Sequence, residues 1–275
     1  ASHQFADGSV YHWWHPLSEM GHVTKMTDDL LWMAFVTAAY VRETGDLSIL
    51  ADRVPFLDDP QPAPLFEHVL RAFERVFRRT SPRGLPYIGA GDWNDGLSAV
   101  GLEEKGESVW LAHFLAGLLG DWSELFRRTG EPARADEFAR RREALVAAIN
   151  EHAWDGEWYW RATLDSGARI GSRENDRGAI YLNAQTWAVL NDVAPPDRAA
   201  AAMRAVRERL VSEAGALLLA PAYDRPVREI GYITRYAAGM RENGGVYTHA
   251  ATWAISAAAK AKDPELVGRL LEAID

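Results

Sequence analysis

The sequence predicts an all-α fold, an (α/α)6 toroid of six helical hairpins, of which these 275 residues supply an incomplete portion of the ring. Three observations predict it. Apolar residues recur at helical spacing through most of the chain, polar Gly- and Pro-rich stretches divide it into pairs, and a Trp recurs near four of the expected helix starts. In chain order the helical period covers residues 28–43, 64–79, 108–128, 134–152, 183–191, 197–213, 249–262 and 265–274, about eight helices. Ser81-Pro82-Arg83-Gly84 and Ala194-Pro195-Pro196-Asp197 break the helical pattern between them. Strand signals are confined to Trp158-Tyr159-Trp160 and Tyr232-Ile233-Thr234, where small hairpins or extended lids are expected.

The repeat lies in Asp28-Asp29-Leu30-Leu31-Trp32, Gly106-Glu107-Ser108-Val109-Trp110, Asn183-Ala184-Gln185-Thr186-Trp187 and His249-Ala250-Ala251-Thr252-Trp253. Its interval of about 66 to 78 residues suits a helix pair plus elaborated loops. Each such helix is expected on the inside, its N-terminus facing a common mouth; chance alignment in a chain with 11 Trp is the alternative. A closed ring of six pairs needs about twelve helices, so eight make roughly two thirds of it. Residues 1–275 are expected to form one domain, part of a longer one.

Lys and Arg number 30 against 39 Asp and Glu, a net charge of −9, which argues against binding a nucleic-acid backbone. A hydrophobic fraction of 48% with 25% charged residues describes a chain that buries a core. No apolar stretch reaches the roughly 20 residues a bilayer needs, so no membrane contact by this segment is expected. Without cysteine there are no disulfides or thiolate metal sites, and residues 1–8 lack signal-peptide features; a cytoplasmic setting is expected.

Gly89-Ala90-Gly91-Asp92-Trp93-Asn94-Asp95-Gly96-Leu97 is the sharpest local signal. Glycines admit close backbone approach, and an indole offers a flat face to a pyranose. A carboxyl shielded beside that indole has its pKa raised and suits a general acid, whereas an Asp/Asn-rich turn capping its own backbone is the structural alternative. In Arg241-Glu242-Asn243-Gly244-Gly245-Val246-Tyr247-Thr248-His249, free backbone N–H groups and a helix start favour an oxyanion; a cap at Thr248 and a structural His249 are the bland readings. His3, His12 and His15 lie among aromatics and acids, but without a metal-binding spacing, so sugar-contacting loops suit them better than a metal. Glu174-Asn175-Asp176-Arg177 and Arg228-Glu229-Ile230-Gly231-Tyr232 are either solvated charge runs or substrate contacts.

These motifs, with Thr27-Asp28-Asp29-Leu30-Leu31-Trp32, Gln185-Thr186-Trp187 and Ile233-Thr234-Arg235-Tyr236, make a chain that resembles glycoside hydrolase family 94 over nearly its whole length. That family comprises inverting β-glycoside phosphorylases related to cellobiose and chitobiose phosphorylase and to the phosphorylase-like domain of cyclic β-1,2-glucan synthase. The resemblance implies an (α/α)6 catalytic barrel with Asp95 as general acid. It places Trp93, Asp92, Glu229 and Glu242 at the sugar, and His249, Thr248, Gly244 and Gly245 at phosphate. It implies no cofactor, inorganic phosphate as co-substrate, a β-glucoside oligosaccharide as substrate, and a homodimer as a common state. The family's upstream phosphate-binding arginine and downstream Gly-Thr-Ala-type segment do not occur within residues 1–275, so activity is expected of a longer protein rather than of this segment alone. Membership in the glucan synthase branch and an inverting hydrolase on the same toroid are the competing expectations.

Overall fold

The computed structural model describes residues 1–274, which hold eight α-helices and ten short strands. The helices are α1 (Asp29–Thr44), α2 (Leu65–Phe77), α3 (Val109–Arg128), α4 (Pro132–His152), α5 (Leu182–Leu190), α6 (Pro196–Arg209), α7 (Thr248–Lys260) and α8 (Pro264–Glu272). Each lies within a few residues of the span its sequence period predicts. Ends follow local chemistry: Ser108 caps α3 by accepting the Leu111 N–H, Gly45 closes α1 in the left-handed region, and Pro132, Pro196 and Pro264 open their helices.

Four pairs, α1–α2, α3–α4, α5–α6 and α7–α8, pack side by side, and their first members also pack in series, α1 on α3, α3 on α5 and α5 on α7. Composition explains which member sits inside. From Leu182 to Val189 every residue of α5 is buried, so that helix is apolar all round, while α4 and α6 keep only scattered residues buried. The four repeat tryptophans stand at the inner-helix starts as a continuous aromatic series. Ring centroids are 6.4 Å apart for Trp32 and Trp110, 5.6 Å for Trp110 and Trp187, and 4.8 Å for Trp187 and Trp253. The repeat is therefore spatial as well as sequential, at least in these four helices.

Two core clusters fill the helix layers, one around Trp110, Phe114 and Trp122, the other around Val206, Ala254 and Leu266. A third, built from Ile88, Leu97, Val100, Ile170, Tyr181 and Ile233, lies among the connecting loops and supports the site. The strands form five two-stranded antiparallel sheets; the two used below are β1 (Tyr11–Trp14) and β2 (Gly21–Val23).

Of the two strand expectations, one is corrected and one holds. Tyr232–Arg235 is a single 3-10 turn, because the Thr234 hydroxyl donates to Gly231 O at 2.9 Å and accepts the Val227 N–H at 2.8 Å, occupying the groups a ladder needs. Trp158-Tyr159-Trp160 forms the expected small hairpin with residues 153–155: the Asp155 N–H donates to Trp158 O at 2.9 Å and the Trp160 N–H donates to Ala153 O at 3.1 Å around the Trp154–Tyr159 bridge. The Gln185 amide holds the same segment, accepting the Tyr159 N–H at 2.9 Å and donating to Tyr159 O at 2.7 Å.

Candidate active site

The Gly89–Leu97 loop is held from below. Asp92 and Arg161 are both fully buried; Nη1 of Arg161 donates to Asp92 Oδ2 at 2.9 Å and Nη2 donates to Oδ1. Ser108 Oγ donates to the same Oδ2 at 2.6 Å, and Nη2 of Arg161 also reaches Asn94 Oδ1 at 3.1 Å. A charge-assisted network of this kind fixes the loop to the start of α3. Asp92, expected at the sugar, is fully buried here, with its oxygens taken by Arg161, Ser108 and the Asn94 N–H. Arg161 was not among the sequence candidates; its signal was a lone guanidinium inside the otherwise apolar run Trp158–Ala162.

Gly96 is the point of closest approach. A Cβ there would fall 2.6 Å from Ile233 Cβ and 2.7 Å from Glu242 Oε2, so only glycine fits. In return its N–H donates to Glu242 Oε2 at 3.0 Å. Glu242 is buried, and burial followed by the charge of Asp95 raises its pKa against that hydrogen bond.

Asp95 lies between these anchors with its side chain 45% exposed. Burial raises its carboxyl pKa and the Asp29 and Asp92 charges add to the rise, while His12 and Arg241 oppose it. His12 Nε2 is 3.9 Å from Asp95 Oδ2. The loop thus presents a solvent-accessible acid inclined to keep its proton.

Trp93, half-buried, joins this loop to α7. Its Nε1–H donates to His249 Nδ1 at 3.2 Å, and its ring packs against Tyr247, His249 and Trp253 at 5.2 to 5.5 Å. With Nδ1 accepting, a neutral His249 carries its proton on Nε2, a donor free for a ligand. Burial lowers the His249 pKa.

At the anion site the structure moves the donors. The Gly244 N–H is taken by Glu242 O at 3.0 Å and the Gly245 N–H by Arg241 O at 3.1 Å, so these two glycines shape a turn and do not offer free N–H groups. Gly244 needs its φ of +78°, and a Cβ on Gly245 would meet Arg241 O at 2.5 Å. The donors without intrahelical partners are those of the first turn of α7, at Thr248, His249 and Ala250. Thr248 is exposed and makes no cap hydrogen bond, so the capping reading fails there. Glu229 is exposed on the segment before the 3-10 turn, and no side-chain bond holds it among the described residues. In the other charge run, Arg177 pairs with Asp224 at 2.6 Å, as a surface pair.

An indole-lined loop bearing an acid of raised pKa thus stands against the start of α7, in a frame of paired helices. The sequence model of the glycosyl hydrolase 94 superfamily catalytic domain matches residues 1–265, and the chain belongs to that family. It is 37% identical over 276 residues to the cyclic beta-(1,2)-glucan synthase NdvB of Rhizobium meliloti, covering 94% of this chain and 10% of that protein. To the solabiose phosphorylase of Paenibacillus borealis it is 36% identical over 256 residues, covering 93% and 33%. Among solved structures, a rhamnosidase from Klebsiella oxytoca with rhamnose bound has the same fold at a TM-score of 0.63 and 16% identity, covering 97% and 41%. The chain spans about a tenth to a third of the length of these two sequence relatives. No helix among the described residues is long and apolar enough to cross a membrane.

Proposed function

We propose that this chain carries the acid and part of the anion site of an inverting phosphorylase acting on β-linked glucosides. The observation that supports it best is the joining of the two halves through one residue: Trp93, two positions before Asp95, is hydrogen-bonded to His249 at the start of α7. Asp95 donates its proton to the glycosidic oxygen as that bond to the anomeric carbon breaks. A phosphate oxygen attacks the same carbon from the opposite face, giving α-glucose 1-phosphate and an acceptor one unit shorter. An inverting hydrolase uses a second carboxylate to activate water; phosphate needs no such base, only donors and positive charge, which the α7 N-terminus and His249 Nε2 supply. Phosphate is a co-substrate here and no cofactor is invoked.

Val36 and Tyr40 on α1 are 62% and 41% exposed. Large apolar side chains on an inner helix support the proposal that further helices complete an (α/α)6 toroid. The likeness to the glucan synthase over 94% of the chain favours a second reading, in which the same chemistry shortens a β-1,2-glucan within a larger protein. Incubating the full-length protein with phosphate and, separately, cellobiose, laminaribiose and β-1,2-linked glucooligosaccharides distinguishes them. Glucose 1-phosphate from the β-1,2 series alone selects the second reading; release from a disaccharide selects the first.

A further inference from the structure

The β1–β2 hairpin pairs Tyr11 with Val23 and Trp13 with His22, leaving His12 at a register shift. Such a bulge turns a side chain out of its strand's alternation. Here the imidazole is turned toward α1, where Nδ1 lies 3.0 and 3.1 Å from the two oxygens of Asp29, the first residue of that helix. The Thr24 hydroxyl donates to Asp29 Oδ2 at 3.0 Å and holds that carboxylate in turn. With Nδ1–H donating to Asp29, the ring is fixed and Nε2 faces Asp95 Oδ2 across 3.9 Å.

We infer that His12, oriented by Asp29, is a positioning residue for Asp95, presenting Nε2 to that carboxyl. The inference rests on the reading of Asp95 as the acid. The charged and titratable groups around Asp95 are His12, Asp28, Asp29, Asp92, Tyr232, Arg241 and Glu242. Four are carboxyls, and His12 and Arg241 are the basic side chains of the set; of these two, His12 is the one held by Asp29.

Nitrogen NMR titration of the His12 imidazole in this chain and in Asp95→Asn tests the coupling without catalysis. Removal of the Asp95 charge is expected to lower the His12 midpoint by about half a pH unit or more. In the full-length protein, His12→Gln is expected to lower kcat/KM about tenfold. It should also move the alkaline limb to higher pH, since an acid without its nearby cation keeps its proton longer, and leave the KM for phosphate unchanged. Partial rescue of His12→Gly by added imidazole is the third expected result. An identical midpoint in both forms of the chain, or an unshifted pH profile in His12→Gln, overturns the inference. If the full-length protein makes no glucose 1-phosphate, the functional reading falls, and the midpoint comparison still decides whether His12 and Asp95 are coupled.

Discussion

Replacing Arg161 by Leu would leave the buried Asp92 carboxylate with only the Ser108 hydroxyl and the Asn94 N–H, with both Nη donors and their charge gone. Breaking a buried pair by removing one partner costs about 3–5 kcal/mol, so urea unfolding of Arg161→Leu should show a loss of that size. The same substitution frees the loop that carries Asp95 and should lower kcat in the full-length protein as well. His113 is the opposite case, a buried imidazole on α3 with neither ring nitrogen bonded and its pKa pushed down to about 3 by burial and Arg161. The folded state thus binds fewer protons than the unfolded one. Its contribution is full above the ordinary value near 6.5 and is lost as pH falls from there toward about 3. His113→Leu should be as stable as the parent at pH 8 and more stable at pH 5, with Tm measured at both; equal Tm differences at the two pH values would contradict the neutral buried ring. Asp95, Trp93 and His249 stood out in the sequence because carboxyl, indole and imidazole sat beside glycines. Arg161 and Asp92 were legible only as residue types, since which oxygen faces inward depends on contacts 69 positions apart.

Helices were the most legible elements, because a buried stripe must recur every turn and Pro and Gly stop the pattern where the backbone requires it. Short strands were less legible, because most are two residues long, too short for an alternation to show, and pair with backbone elsewhere in the chain, as Leu219–Ala220 does with Ile180–Tyr181. Caps separate α3 from α7. Ser108→Ala removes an N-cap and a hydrogen bond to a buried carboxylate and should cost about 2 kcal/mol, whereas Thr248→Ala, with no cap bond, should change stability by less than about 0.5 kcal/mol. Chemical denaturation of both variants checks this contrast. Equal losses would mean that α7 is capped through its threonine after all. The tryptophan series gives the inner helices a shared aromatic seam near their N-termini, and Trp93 extends it to the acid-bearing loop through Trp253 and His249.

At the scale of the whole molecule, four helix pairs present one acid-bearing loop and one helix start to the same space, and the family to which the chain belongs was legible because several motifs occur in a fixed order. The central claim is that Asp95 gives its proton while phosphate, not water, takes the glycosyl group. The direct measurement is phosphorus and proton NMR of the full-length protein and its Asp95→Asn variant acting on a β-glucoside, each with and without phosphate. The account predicts α-glucose 1-phosphate in step with the shortened acceptor, only with phosphate present, and at least about a hundredfold slower in Asp95→Asn. Free glucose released equally fast without phosphate, or full activity in the variant, would contradict it.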